Sequence, residues 1–154
     1  MRIEFTVEGR PPKKHAEKSM WARDDEARFV VRLREKAFEA RSKADLGGCF
    51  SSLVSLELTV FAPKSRLESM GDLDSFITGI CDGLQAADPK VLSHLHKIFQ
   101  DSEREKIHPR HALLIDNDAK VVSIVARKVA LEEGQETYYK VAVEPVQAAN
   151  ARRK

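Results

Sequence analysis

Gly71-Asp72-Leu73-Asp74-Ser75-Phe76-Ile77-Thr78-Gly79-Ile80-Cys81-Asp82-Gly83-Leu84 is the stretch around which the rest of the chain is read. Phe76, Ile77, Ile80, Cys81 and Leu84 recur at helical spacing and predict a helix over residues 72–87. Two acids one residue apart stand at its start. They suit helix capping, because carboxylates satisfy the free N–H groups of a first turn. They equally suit a hard cation such as magnesium, which takes carboxylate oxygens. On spacing alone capping is the simpler reading. Asp74, Thr78 and Asp82 follow one another at i, i+4 and i+8, so they form a polar stripe along one helix face. Such a stripe on an apolar helix needs water, a metal or a basic partner, because a buried unpaired carboxylate is costly.

Upstream, residues 2–8 alternate, with Ile3, Phe5 and Val7 on one side of a half-buried strand. Gly9-Arg10-Pro11-Pro12 ends it, since proline cannot donate to a ladder. Residues 10–23 form a basic loop. Arg10, Lys13, Lys14, Lys18 and Arg23 stand there against the single acid Glu17. Taken alone, a charge run of this kind is a solvated loop. Asp24, Asp25 and Glu26 then open a helix over 24–45, where acids favour the positive end of the dipole, and Gly47-Gly48 offers its stop. Residues 53–61 alternate as a second strand, and Ala62-Pro63-Lys64-Ser65-Arg66 leaves it as a loop.

Downstream, Asp88-Pro89 has the chemistry of a helix start, and Leu92, Leu95 and Phe99 give that helix an apolar face. Residues 101–110 read as loop. Residues 120–130 and 136–144 read as strands, joined through Glu132-Glu133-Gly134-Gln135 as a hairpin. The expected class is α+β: a single mixed β-sheet with helices packed on it. One domain spans 1–146, and 147–154 is a basic polar tail.

The 154 residues are 42% hydrophobic and 32% charged, ordinary for one globular domain. No apolar run approaches the roughly 20 residues that cross a bilayer, so no membrane partner is expected. The N-terminus lacks the apolar core of an export signal. Cys49 and Cys81 have no CxxC partner, which fits a reduced, cytoplasmic setting. The net charge of +2 argues against nucleic-acid binding over the whole surface and leaves room for a local basic patch. His94, His96, His108 and His111 raise the question of zinc, but His94 and His96 would point to different faces of a helix. Trp21 is read as packed on the core rather than as a base-stacking platform.

Leu113-Leu114-Ile115-Asp116-Asn117-Asp118-Ala119-Lys120-Val121 is the second polar cluster. As a turn it is ordinary, because Asp and Asn bond their own backbone. As chemistry, Asp118 would bring a third carboxylate to the site of Asp72 and Asp74. The ordered set of Pro11-Pro12 after a first strand, Asp72-Leu73-Asp74 opening a helix, Asp82-Gly83-Leu84 on it, and Asn117-Asp118-Ala119-Lys120-Val121 before the final strands resembles the RusA family over most of residues 1–145.

That family comprises Holliday-junction resolvases, homodimeric magnesium-dependent endonucleases of DNA recombination and repair. The resemblance implies a RusA-like fold with an inserted helix and loop at 88–111. It implies that Asp72, Asp74 and Asp118 are the catalytic, metal-binding acids, with Asp82 a further acid of the motif. Mg2+ is the implied cofactor, with Mn2+ as substitute, and branched DNA the implied partner. Lys13, Lys14, Lys18, Lys64 and Arg66 would contact backbone phosphates. Two positions depart from the family: Thr78 stands where it has a lysine and Ser75 where it has an asparagine. Lys64 or Lys120 are substitutes for the missing cation. Two other readings stay open: a DNA-binding relative without turnover, favoured by Thr78, and a metal-dependent hydrolase of smaller phosphoesters. The basic loop argues against the latter.

Overall fold

The alternating segments at both ends of the chain become strands of one sheet. The computed structural model describes residues 1–14 and 19–147, so Lys18 and the tail from 148 lie outside the described residues. The regular elements are β1 (Ile3–Glu8), α1 (Asp24–Lys43), β2 (Val54–Pro63), α2 (Leu73–Gly83), β3 (Val121–Leu131) and β4 (Tyr138–Pro145). The sheet order is β1-β4-β2-β3. β4 runs antiparallel to both of its neighbours, and β2 and β3 are parallel, so the sheet is mixed and the class α+β.

The inward faces of β1, β2 and β4 supply Phe5, Val7, Leu56, Leu58, Tyr139 and Val141. Leu33 and Ala37 of α1, and Phe76 and Ile80 of α2, close over them. The opposite sheet face is polar. There Arg2 spans three strands, bonding Glu4, Glu57 and Glu144 at 3.2, 2.6 and 3.0 Å.

The expected hairpin is not formed, because β2 lies between β3 and β4. Residues 132–137 are long enough to cross the roughly 10 Å over the end of one intervening strand. Burial selects the arrangement. β4 is apolar on its core side and takes a central place, whereas Val122, Ile124 and Val125 of β3 remain 51, 45 and 43% exposed at the sheet edge.

The expected helix after Asp88-Pro89 is also absent. The 88–111 segment instead forms 3-10 turns at Leu92–His94, Lys97–Gln100 and Ser102–Ile107. Side chains compete there for the backbone: His96 Nδ1 accepts from Ile98 N at 3.1 Å, and Asp101 Oδ1 from Glu103 N at 3.0 Å. The apolar residues are used nonetheless. Phe99 and Ile107 pack with Trp21, Val30 and Val31 as a second cluster on α1, and Trp21 is thereby core.

Arg34 sits between the two clusters and is fully buried. Its five N–H groups donate to the carbonyls of Gly83 (2.7 Å), Gln85 (2.9 Å), Ile107 (2.8 Å), His108 (2.9 Å) and His111 (2.5 Å). Burial pushes the guanidinium down to about 9, so it is charged at neutral pH. These bonds also explain why α2 ends at Gly83 rather than at 87. Arg34 takes the carbonyls of Gly83 and Gln85, and Leu113 N donates to Leu84 O at 2.9 Å. α1 stops at Ala44, with Asp45 in the left-handed region (φ +57°), ahead of the glycine pair. Among the described residues no helix is long and apolar enough to cross a membrane.

Candidate acidic site beneath a basic loop

Asp72 occupies the N-cap position of α2, yet its side chain makes no capping bond. Asp74 lies in the first turn, where its backbone carbonyl accepts from Thr78 Oγ1 at 2.9 Å. In the second cluster the turn chemistry falls to the neighbours of Asp118. Asn117 Oδ1 accepts from Ala119 N at 2.9 Å, and Lys120 Nζ pairs with Asp116 at 2.9 Å, holding that carboxyl below its ordinary range. Among the described residues, the exposed carboxylates of Asp72, Asp74 and Asp118 make no hydrogen bond or ion pair. The capping role that spacing favoured is therefore not taken up by the Asp72 side chain.

Asp118 approaches α2. The Cys81 thiol is pushed up to about 11, first by burial and then by the charges of Asp82 and Asp118. Cys81 follows Asp74 by seven residues, two helical turns, so the two share a side of α2. The carboxylates are not drawn tightly together: among the described residues no group of three or more His, Cys, Asp or Glu side chains is placed to hold a metal ion.

The basic loop lies directly on this helix. A Cβ on Gly79 would fall 2.0 Å from Pro12 O, so only glycine allows the 11–13 backbone to rest there. The loop is pinned from the other side by Glu26, which is 1% exposed. Its two oxygens accept from Arg10 Nη1 and Nη2 at 2.9 and 2.7 Å, and from Lys13 N at 2.9 Å. The result places Lys14 Nζ 3.0 Å from Asp82 Oδ2, on the Asp74–Thr78–Asp82 face. Asp82, expected as a further metal ligand, is engaged by that ammonium. Lys64 and Arg66 stand exposed on a 3-10 turn after β2, and Lys120 is held by Asp116.

Sequence reasoning missed Glu26 as an organiser, because an acid in a first helical turn already has an explanation in the helix dipole. It also missed Lys14 as the cation of the acidic face, since a charge run does not show which of its members folds back onto a helix. No protein-family model matches the chain, and no curated protein matches it.

Proposed function

We propose that this chain is a RusA-like, magnesium-dependent endonuclease acting on four-way DNA junctions. One observation carries the reading: three exposed carboxylates, Asp72, Asp74 and Asp118, have no partner among the described residues, and the helix that bears the first two lies against a loop rich in cations. Carboxylates that hold no cation of their own among the described residues suit a hard divalent ion, magnesium or manganese, that shares its shell with water and phosphate oxygens. Such an ion, when bound, polarises a phosphoryl oxygen and acidifies a water. The chain's own groups do the rest. Lys14, on the acid-bearing face, offsets phosphate charge near Thr78, where the family's lysine is missing. Lys13, Lys64 and Arg66 hold the backbone and fix its register without reading sequence. Two copies related by a twofold axis would meet the two equivalent strands of a junction.

The second reading, a junction-binding relative without turnover, draws on Thr78, whose hydroxyl is tied to Asp74 O. Junction binding and Mg2+-dependent nicking, measured side by side on a four-way junction and a linear duplex, separate the two. The nuclease reading expects nicking of the junction, and expects Asp74→Asn to abolish it while binding holds or tightens. Binding without nicking in the wild type selects the second reading.

A further inference from the structure

Beside the start of α2 the surface opens into a cleft of about 430 Å³. It is lined by Arg10 and Lys13 of the basic loop, Phe29 of α1, and Arg66, Ser69 and Met70 of the segment that runs into α2, while Arg28 and Arg32 flank the Phe29 ring at its margin. Gly71 (φ +135°) joins the cleft to the acidic site. A Cβ there would lie 2.8 Å from Lys13 Cδ, so the bare backbone lets the Lys13 stem lie against the head of α2.

Phe29 organises the cations. Arg10 stacks on its ring at 4.1 Å, Arg28 at 4.8 Å and Arg32 at 5.6 Å. The charge of Arg10 is met by Glu26, and Asp25 is held by Arg23. Lys13, Arg28, Arg32 and Arg66 make no ion pair among the described residues. Four uncompensated cations in one neighbourhood raise a local positive potential that favours an anion. Arg28 and Arg32 are one turn apart on α1, separated by about 6 Å along the axis. Cations strung along a helix and across a cleft match an extended chain of phosphates better than one compact anion. Guanidiniums already stacked on a ring also lose less freedom on binding than free side chains do.

We propose that this cleft seats the sugar–phosphate backbone of the DNA strand that leads into the Asp72 end of α2. The inference rests on the endonuclease reading and adds the α1 arginines and Phe29 to it. The test is fluorescence anisotropy of a labelled four-way junction across a salt series. It uses the full chain, the Arg28→Gln/Arg32→Gln double variant and Arg66→Gln. Lys90→Gln/Lys97→Gln, which lie outside the cleft, are the control. The cleft variants are expected to bind several-fold more weakly, with the slope of log affinity against log salt reduced by about 0.9 per lost contact. The control is expected to match the wild type. Affinity and slope unchanged in the cleft variants overturn the proposal, as does a wild type that binds no DNA. Nicking assayed on the same samples keeps the two ideas apart. Cleft-dependent binding without nicking removes the nuclease reading alone, and nicking indifferent to the cleft variants removes the cleft alone.

Discussion

Lys14 and Asp82 meet at 3.0 Å across the boundary between the basic loop and α2. The lysine side chain is 54% exposed and the aspartate 27%, so the pair adds at most about 1 kcal/mol to stability. Its consequence is positional, since it fixes a cation on the face that carries Asp74. On the proposed endonuclease reading, Lys14→Gln is therefore expected to leave the thermal midpoint nearly unchanged and to slow junction nicking. A variant that nicks at the wild-type rate removes Lys14 from the chemistry.

Gly79 is the point at which the loop rests on α2. Gly79→Ala must lift the Pro12 carbonyl from its seat, an overpacking expected to destabilise by about 1–3 kcal/mol. The same displacement separates Lys14 from Asp82, so nicking should fall even at temperatures where the variant is folded. Circular dichroism melts with parallel nicking assays check both arms. Wild-type values in both would mean the loop moves aside at no cost.

Arg34 is held by carbonyl oxygens from two separate segments, residues 83–85 and 107–111, and among the described residues no carboxylate is bonded to it. Arg34→Met fills similar space but leaves five carbonyls without their donor. Urea unfolding is expected to show a loss of at least about 3 kcal/mol. A loss below about 1 kcal/mol would show that water takes over the guanidinium's bonds.

Acidification should weaken the same region. His108 and His111 both have pKa values lowered from 6.5, mainly by burial. Neighbouring positive charge adds to this, from His111 and Arg34 at His108, and from Arg110, Arg34 and Arg41 at His111. Glu105 stands 3.8 Å from His111. The unfolded chain therefore binds more protons below pH 6.5 than the folded one, and stability falls as pH falls through that value. The thermal midpoint is expected to drop between about pH 7.5 and about pH 5.5. His108→Asn/His111→Asn should flatten that drop, and an equal drop in the double variant would assign it elsewhere.

Strand positions were legible because period-two alternation is a local signal, and Ile3, Phe5 and Val7 point inward as read. Strand neighbours were not. The insertion of β2 between β3 and β4 is decided by which strands bury their core-facing side chains, a property of the assembled sheet. The 88–111 segment shows the same division. Its apolar residues were identified, but side-chain bonds from His96 and Asp101 to the backbone broke the helix into turns. At the candidate site, spacing alone favoured capping for Asp72 and Asp74 and a turn for Asp118, and only the resemblance of the ordered motifs to the RusA family named the three together. That Asn117 and Asp116 would satisfy the turn and leave Asp118 without a partner among the described residues needed the fold. Glu26 was hidden for a related reason: its partners, Arg10 and the Lys13 amide, flank a proline pair that no periodicity bridges.

The place of β4 in the sheet sets an order of events during synthesis. β1 pairs only with β4, and β4 is also the link between β1 and β2. While the chain is being made, residues 3–8 have no strand to join until residues 138–145 have left the ribosome. Until then Ile3, Phe5 and Val7 lack the strand that pairs with theirs, and α1, which packs on β1, has only part of the surface it will cover. The acidic helix and the basic loop, both made earlier, therefore reach their final arrangement only after the last strand closes the sheet. A nascent chain stalled before residue 138 should be sensitive to protease throughout its first strand.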